Sequence, residues 1–404
     1  MAHTTSNSSN DQRFVTRRIA ELLANELVDA ASAFDPPSSK AQPSRDAWDA
    51  ITEYACTHGL AGLVQNAIAD RGVDVPELHR ARLADSSAQI AARNLHLQHH
   101  LERVATCLND AGIDVMVLKG MALNHRIYDR LDLRPMTDVD LLFRFDDVER
   151  ACRVLKAAGC VDGETLLRED FFPRFYYERE FRPADAPNVK FDVHARLFRP
   201  WRYRNVPIDS FWSNAKSIAI GDAKMLVPGH EEMLIHLCVH AACHGASRIL
   251  WLLDIHRYAR RFAAEIDWPA FVDGVRRMKL GWPTLVAVRA VTSVFGATVP
   301  ASVISALETR SAGWADRLAL WQAPRDDQHP VARLCVDALV GGGRKDQIAY
   351  LGALLVPQRA HMADLYRIHH PGWLPCAHLW RVVRAGTRGI ARCAGRACIP
   401  FRHV

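Results

Sequence analysis

The segment Thr137-Asp138-Val139-Asp140-Leu141-Leu142-Phe143 places two acidic residues at the start of an apolar run. Such a run between turn signals predicts a buried β-strand. Residues two apart on a strand point to the same face, so we expect Asp138 and Asp140 to aim their carboxylates into one small volume. Two anions this close repel each other unless cations lie between them. Hard divalent cations such as Mg²⁺ are the expected occupants, because carboxylate oxygen suits them as a ligand.

A third acidic residue lies in a second predicted strand further along the chain. Asp192 occupies the segment Val189-Lys190-Phe191-Asp192-Val193-His194. If the two strands are neighbours, three carboxylates meet and can hold two metal ions, an arrangement that handles phosphate transfer. A single aspartate on a strand is more often a surface residue, so none of the three aspartates is sufficient evidence alone. It is their occurrence together that predicts Asp138, Asp140 and Asp192 to be metal ligands and catalytic residues.

A phosphate-binding turn is predicted ahead of the acidic pair. The apolar run Val115-Met116-Val117-Leu118 predicts a strand, Lys119 and Gly120 follow it, and a helical pattern begins at Met121. A strand, a glycine turn and a helix together offer free backbone N–H groups to a phosphate. Lys119 adds a point charge and Arg134 a planar guanidinium fork. We therefore predict that Lys119, Gly120 and Arg134 bind a nucleotide.

Five segments resemble a known family. Leu118-Lys119-Gly120-Met121-Ala122-Leu123, Leu133-Arg134-Pro135-Met136-Thr137-Asp138-Val139-Asp140-Leu141-Leu142 and Phe191-Asp192-Val193-His194 resemble the bacterial nucleotidyltransferase-like family of the polymerase-β superfamily. Trp251-Leu252-Leu253-Asp254 and Ile266-Asp267-Trp268 resemble its downstream helical part. The resemblance covers roughly residues 80 to 290. It implies a small mixed sheet with flanking helices, Mg²⁺ as two bound ions, and transfer of a nucleoside monophosphate from a nucleoside triphosphate, with ATP the expected donor, to a hydroxyl-bearing acceptor.

One departure from the superfamily pattern keeps other functions open. Met121 follows Gly120 where the superfamily usually has a serine, so a phosphate-binding hydroxyl is missing. This favours a non-catalytic nucleotide-binding or scaffold module, whereas the three intact aspartates favour an enzyme. Transfer of the terminal phosphoryl group by the same site is a further alternative. The acceptor is not identified by the sequence: a small molecule, a sugar, a peptide or a protein side chain would each serve. The family resemblance implies a role in biosynthesis without naming a product.

A row of histidines lies downstream of the acidic segments. His236, His240 and His244 recur every four residues in a predicted helix and so share one face. A metal-binding row is one interpretation, and hydrogen-bonded histidines packed against the sheet are the other. The family resemblance implies that this face borders an acceptor pocket, which we predict to contain His194, His240, His244, Arg248 and Asp254. For Arg248, phosphate contact and a structural pair with Asp254 are both open.

Composition limits the class of protein. The chain has 404 residues, of which 49% are hydrophobic, so it can bury a large core. It contains no run of about eighteen apolar residues that would cross a membrane. The first residues are polar, without the apolar block of a signal peptide. Ten cysteines without a Cys-x-x-Cys pair indicate reduced thiols in a cytoplasm.

The C-terminal segment is strongly basic. From Arg367 to Val404 there are seven arginines and no Asp, Glu or Lys, so this segment accounts for the net charge of +6. Five of the arginines recur every three or four residues and would form a stripe on a helix: Arg381, Arg384, Arg388, Arg392 and Arg396. Contact with an anionic surface, either nucleic acid or lipid at the inner membrane face, is one interpretation. A solvated terminal helix is the other, and we favour it.

These patterns together predict an α+β fold, in which a small mixed β-sheet core is flanked by N-terminal and C-terminal helical regions. We expect a disordered N-terminus at 1–13, an N-terminal helical region at 14–111 and a nucleotidyltransferase-like core at 112–207. A helical domain at 208–340 and a basic helical extension at 341–404 complete the chain. The oligomeric state is not indicated by the sequence.

Overall fold

The computed structural model of the protein describes residues 45–163, 178–198, 206–308, 356–368 and 370–381, together with residues 19, 203, 345, 347–349, 352, 383 and 384. The N-terminus predicted to be disordered, at 1–13, lies outside these residues. So do three arginines of the predicted basic stripe, Arg388, Arg392 and Arg396.

A seven-stranded mixed β-sheet lies at the centre of the fold, which confirms the predicted fold class. The strands are β1 Met116–Val117, β2 Val139–Leu142, β3 Cys160–Asp162, β4 Glu178–Pro183, β5 Phe191–His194, β6 Lys216–Ile220 and β7 Ala223–Val227. Their spatial order is β3-β4-β5-β2-β1-β7-β6. β2 pairs with β5, and β1 with β7, in parallel, and the other neighbours are antiparallel.

The two strands that carry the predicted metal ligands are the centre of this sheet. Every residue of β2 and of β5 is buried. Strands covered on both faces read as nearly continuous apolar runs, and Val139, Leu141 and Leu142 follow that pattern. An aspartate in such a strand is therefore exceptional, because a buried carboxylate needs a charged or hydrogen-bonding partner.

Helices surround the sheet in the described part of the chain. They are α1 Arg45–Thr57, α2 Ala61–Arg71, α3 Glu77–Asp110, α4 Lys119–Leu123, α5 Val148–Ala157, α6 Asp209–Ser213, α7 His230–Cys243, α8 Ile249–Arg261, α9 Trp268–Arg277, α10 Gly281–Phe295, α11 Ala301–Glu308 and α12 Arg359–Tyr366. A π-helical turn, Asn124–Tyr128, continues α4, and short 3₁₀ turns occupy Phe145–Asp147 and Pro371–Trp373.

The long helix α3 covers the sheet on the N-terminal side. It buries Leu97, Leu101, Val104 and Leu108, which recur every three or four residues and so form one apolar stripe. This stripe faces β7 and α5. On the other side, α7 packs against α8, α9 and α10, and it also reaches α4. Through this contact, α7 lies next to the turn that follows β1.

The sheet continues beyond residue 207, where the predicted core ended. The hairpin of β6 and β7 joins the free edge of β1, and Leu226 N donates to Val115 O at 2.9 Å. β1 is short and buried, so its outer edge needs a strand partner to satisfy its backbone groups. Within the described residues, no helix has both the length and the apolar character to cross a membrane.

Candidate active site

Three acidic side chains lie in one cleft where β2 and β5 run side by side. Asp140 and Asp192 are register partners on these parallel strands, and both are buried. Register partners on neighbouring strands project to the same face of a sheet. Asp138 directly precedes β2, and its Oδ2 lies 3.3 Å from Lys190 Nζ, which also lies 2.8 Å from Asp192 Oδ2. The structure thus brings together the three predicted metal ligands.

Asp140 has two positively polarised partners. Its Oδ1 lies 2.8 Å from Lys119 Nζ and 2.9 Å from His194 Nε2. His194 ends β5, two residues after Asp192, and therefore shares the face of both carboxylates. The predicted acceptor-pocket residue His194 is thus a direct partner of a predicted metal ligand.

The turn from β1 into α4 has the backbone that close approach requires. Lys119 adopts a left-handed conformation, with φ of 42°, which is uncommon for a residue with a side chain. Strain of this kind tends to concentrate at functional sites. A Cβ atom on Gly120 would lie 3.0 Å from Arg134 Nη1 and 3.0 Å from Met136 Sδ, so only glycine fits there without displacing these atoms. Lys119 and Gly120 both line the cleft, and phosphate binding by this turn stays a prediction.

Arg134 is held in a buried ion pair. Its Nε and Nη2 donate to the two carboxylate oxygens of Asp254 at 2.9 and 2.8 Å, and Tyr128 Oη donates to Asp254 Oδ1 at 2.7 Å. Arg134 still lines the cleft, whereas Asp254 is buried behind it. Asp254, which we predicted for the acceptor pocket, does not line this cavity, because its carboxylate is enclosed by Arg134 and Tyr128. Asp254 therefore pairs with Arg134 and not with Arg248, which was the structural alternative for Arg248.

The loop that leads to β2 is fixed by two buried asparagines that the sequence patterns did not single out. Asn94 Nδ2 donates to Leu131 O at 2.6 Å and to Arg134 O at 2.7 Å, while Asn94 Oδ1 accepts from Met136 N at 3.2 Å. Asn124 Nδ2 donates to Arg134 O at 3.3 Å. These bonds satisfy the backbone of a buried loop and so position Asp138. A polar residue in the apolar stripe of α3 was the available signal for Asn94.

The acidic cleft opens into a cavity of about 590 Å³. One wall comes from α7 and the start of α8, and it carries His236, His240, His244, Arg248 and Trp251. The rings of His240 and His244 lie 5.0 and 4.9 Å from the ring of Trp251, and the Arg248 guanidinium lies 4.9 Å from it. The predicted acceptor-pocket residues His240, His244 and Arg248 therefore share one wall with Trp251.

His236 belongs to the same wall, although we did not predict it as a site residue. The residue is 1% exposed, and among the described residues neither ring nitrogen has a hydrogen-bond partner. It stacks on Phe198, with ring centroids 5.4 Å apart. Burial, followed by the charge of Lys119, lowers the pKa of His236 to about 3, so the ring is neutral at neutral pH. Burial likewise holds the pKa of His240 well below its ordinary value.

Comparison with known proteins identifies the family. A family model described as "Uncharacterised nucleotidyltransferase" matches residues 44–296, which include the whole sheet and the wall of the cavity. The chain belongs to this family. The resemblance noted in the sequence is thereby confirmed. No curated protein matches the chain.

One solved structure is similar to this family member, the solution structure of the antibiotic-resistance factor ANT(2″)-Ia. The two chains are 13% identical, and the match covers 48% of this chain and 96% of the other, with a TM-score of 0.32. The family match, and not this similarity, supports the assignment to the nucleotidyltransferases.

The two central carboxylates of the cleft, Asp140 and Asp192, have pKa values that are shifted by different surroundings. Burial alone would raise the pKa of Asp140, but the Lys119 ammonium and the His194 ring outweigh it and hold that pKa well below its usual value. Burial also opposes the charge of Lys119, yet Asp140 and Asp138 raise the pKa of that ammonium. Asp140 and Lys119 are therefore a charged pair at neutral pH.

Asp192 is shifted in the opposite direction. Burial and the negative charge of Glu178 raise the pKa of Asp192 to about 7, against the opposing effects of Lys190 and His194. Glu178 lies at the start of β4, opposite His194, and it also lines the cleft. A carboxyl group with a pKa near neutrality can exchange a proton with substrate. Glu178 and Lys190 are thus two site residues that sequence reasoning missed.

The donor set fits a divalent cation in chemistry, since three carboxylates meet in one cleft. In the described ranges, however, no group of three or more His, Cys, Asp or Glu side chains has metal-ligating geometry. Ammonium groups contact these carboxylates in the structure: Lys190 contacts Asp138 and Asp192, and Lys119 contacts Asp140. The Lys190 ammonium therefore lies between Asp138 and Asp192 and balances their negative charge.

Proposed function

We propose that the chain is a Mg²⁺-dependent nucleotidyltransferase that transfers a nucleoside monophosphate from a nucleoside triphosphate, with ATP the expected donor, to a hydroxyl-bearing acceptor. One observation carries the proposal: Asp140 and Asp192 are register partners, and Asp138 is joined to Asp192 through one ammonium group. Three carboxylates so arranged suit cations that bind a triphosphate. Asp138, Asp140 and Asp192 would hold the Mg²⁺, which when bound supplies charge neutralisation to the triphosphate.

The turn at Lys119 and Gly120 receives the phosphates in this proposal. The backbone N–H groups at the start of α4 and the Lys119 ammonium provide hydrogen bonds and positive charge. Arg134 Nη1 faces Gly120, and its other donors are committed to Asp254, so Arg134 acts from behind the turn. Its buried guanidinium adds positive potential and holds the turn in place.

Asp192 is the proposed proton acceptor. Its carboxylate takes the proton of the acceptor hydroxyl, the hydroxyl oxygen forms a bond to the α-phosphorus, and the bond from the α-phosphorus to the bridging oxygen of the β-phosphate breaks. Pyrophosphate then leaves. In the metal-free protein, burial and the charge of Glu178 raise the pKa of Asp192 to about 7, so this carboxyl group can take up a proton near neutral pH.

The wall formed by His240, His244, Arg248 and Trp251 is the proposed acceptor side of the cavity. It lines the same cavity as the carboxylates, and the ring of His240 is neutral. Neutral imidazoles each offer one donor and one acceptor to a ligand, which suits a hydroxylated molecule. This wall therefore replaces the pocket that we predicted to include Asp254.

A screen of labelled nucleoside triphosphates with candidate acceptors tests the proposal. Each triphosphate is supplied once with the α-phosphate labelled and once with the γ-phosphate labelled, in the presence of Mg²⁺. Label from the α-phosphate should appear on an acceptor, and Asp138→Asn should abolish its transfer. Transfer of the γ-label would show a phosphotransferase instead.

The second candidate is a non-catalytic nucleotide-binding module. It is favoured by Met121, which follows Gly120 and is buried, so the turn offers no side-chain hydroxyl to a phosphate. A non-catalytic module would bind a nucleoside triphosphate without transferring either label to any acceptor. Equal nucleotide affinity with and without Mg²⁺ would support this reading.

A further inference from the structure

Lys190 lies at the centre of the acidic cleft. Its Nζ is 2.8 Å from Asp192 Oδ2, 3.3 Å from Asp138 Oδ2 and 3.9 Å from Glu180 Oε2. Asp138 and Asp192 come from segments that are far apart in the sequence. The single Lys190 ammonium contacts both carboxylates and balances part of their negative charge. A compact ammonium between two carboxylates has the charge and the place that a bound cation would have.

Two features allow this ammonium to move. Lys190 directly precedes β5, so its backbone is anchored by the sheet while its side chain retains a flexible four-carbon stem. The side chain is 25% exposed, and it lines the open cavity. The solvent-facing side of the cavity therefore offers the ammonium a second position that requires no change in the strands.

Lys119 provides the contrast. Its side chain is 18% exposed, it starts from a left-handed backbone, and it contacts Asp140 on the side of the helix α4. Lys119 is thus part of the phosphate-binding turn, whereas Lys190 is placed between the carboxylates themselves. The two lysines therefore have different roles toward a cation.

We propose that Lys190 is an exchangeable counter-cation: it holds Asp138 and Asp192 together in the metal-free protein, a divalent cation displaces its ammonium, and the displaced ammonium contacts the phosphates of the nucleotide. This inference rests on the proposed function for the identity of the phosphate ligand. The displaced ammonium loses its contacts with Asp138 and Asp192, and a bound phosphate replaces them. Metal and nucleotide therefore bind with positive coupling, and each raises the affinity for the other.

Binding of Mn²⁺ measured by electron paramagnetic resonance tests the displacement without any assay of activity. Lys190→Met removes the competing ammonium, so Mn²⁺ alone should bind about tenfold more tightly than to the unchanged protein. Addition of the non-hydrolysable analogue α,β-methylene-ATP should raise Mn²⁺ affinity less in Lys190→Met than in the unchanged protein, because the variant has no ammonium to couple the two ligands. Lys156→Met is the matched control, because it removes the same charge from an ion pair with Asp162 at another place in the fold. Unchanged or weaker Mn²⁺ binding by Lys190→Met would overturn the proposal.

Acetylation of lysines, read by peptide mass spectrometry, follows the ammonium directly in the full-length protein. Without metal, Lys190 should be protected by its two carboxylates. With Mg²⁺ alone its acetylation should rise several-fold relative to Lys156, and Mg²⁺ with α,β-methylene-ATP should restore protection. If Mg²⁺ raises Lys190 acetylation but no labelled phosphate is transferred, the counter-cation role of Lys190 stands and the proposed function is rejected. Transfer of labelled phosphate with no change in Lys190 acetylation would reject the exchange alone.

Discussion

Asp140 and Asp192 are register partners on two adjacent parallel strands, and yet their pKa values are shifted in opposite directions. Asp140 has Lys119 and His194 as partners and remains ionised. Asp192 is raised by burial and by Glu178. Pairs of titratable groups whose environments separate their pKa values are a common basis for acid and base roles in an active site. Opposite shifts of this kind are consistent with the proposed roles, in which Asp140 stays an anion and Asp192 accepts a proton.

Asp138→Asn should abolish the Mg²⁺-dependent part of nucleotide binding while the fold is retained. Asp138 is partly exposed, and Lys190 keeps Asp192 as a partner, so the free energy of unfolding should change by less than about 1 kcal/mol. Calorimetric titration of a nucleoside triphosphate with and without Mg²⁺ measures the effect, which should be at least about tenfold in affinity. Equal affinities in the variant and the unchanged protein would reject Asp138 as a ligand.

Asp140→Asn should lose the same binding and also lose stability. The substitution leaves the partly buried Lys119 ammonium without its carboxylate, and breaking a fully buried pair costs about 3–5 kcal/mol, which is the upper limit expected here. Urea denaturation of the metal-free protein measures this loss. Because Asp138→Asn lacks the stability effect, a comparison of the two variants separates loss of a ligand from loss of the fold.

The local sequence pattern was sufficient to predict the strands that carry the candidate site. It was insufficient to predict which distant residues contact them. The apolar runs around Asp140 and Asp192 predict two strands, and their polar residues predict a site. The ion pair of Arg134 with Asp254 joins residues 120 positions apart, and no periodicity reports such a contact. The hairpin of β6 and β7 was not among the predicted strands, and in β6 only Ile220 is buried.

Arg134→Met should destabilise the protein by about 3–5 kcal/mol, because it leaves the Asp254 carboxylate buried without its guanidinium partner. The double variant Arg134→Met, Asp254→Leu removes both charges and should recover much of that loss. Urea denaturation of the two single variants and the double variant gives the coupling energy. A double variant whose loss equals the sum of the single losses would show that the pair contributes nothing as a pair.

The buried histidines predict loss of stability in mild acid. Burial lowers the pKa of His236 from 6.5 to about 3, so between these values the unfolded chain binds a proton that the folded protein does not. Stability is therefore present above the unfolded pKa and falls as the pH decreases, by about 1.4 kcal/mol per pH unit for one such group. His236→Phe removes this group and retains stacking on Phe198, so it should flatten the dependence.

Urea denaturation at about pH 7 and about pH 5 measures the slope. The exposed His99→Phe is the control, since an exposed ring changes its surroundings little on folding. Part of the slope should persist in His236→Phe, because burial also lowers the pKa of His240 and of His256. Identical slopes for His236→Phe and the unchanged protein would contradict the prediction.

The basic C-terminal segment keeps its two interpretations, a solvated terminal helix, which we favour, and a contact with an anionic surface. If the segment contacts such a surface, deletion of residues 376–404 should leave nucleotide binding unchanged and weaken binding to acidic lipid vesicles or to nucleic acid. Each basic residue near such a surface contributes about 1 kcal/mol, and salt screens the attraction within roughly 10 Å at 0.1 M. The expected loss is therefore large at low salt and small at high salt.

Vesicle sedimentation and nucleic-acid titration at two salt concentrations check this deletion. The competing expectation is that the arginines pair with acidic residues of the helical region and stabilise it. Deletion would then lower the melting temperature and leave vesicle and nucleic-acid binding as they were. Replacement of Arg384, Arg388 and Arg392 by glutamine separates the two effects, because it keeps the length of the chain and removes only the charge. Salt-dependent loss of binding in that variant, with no change in melting temperature, would select the surface contact.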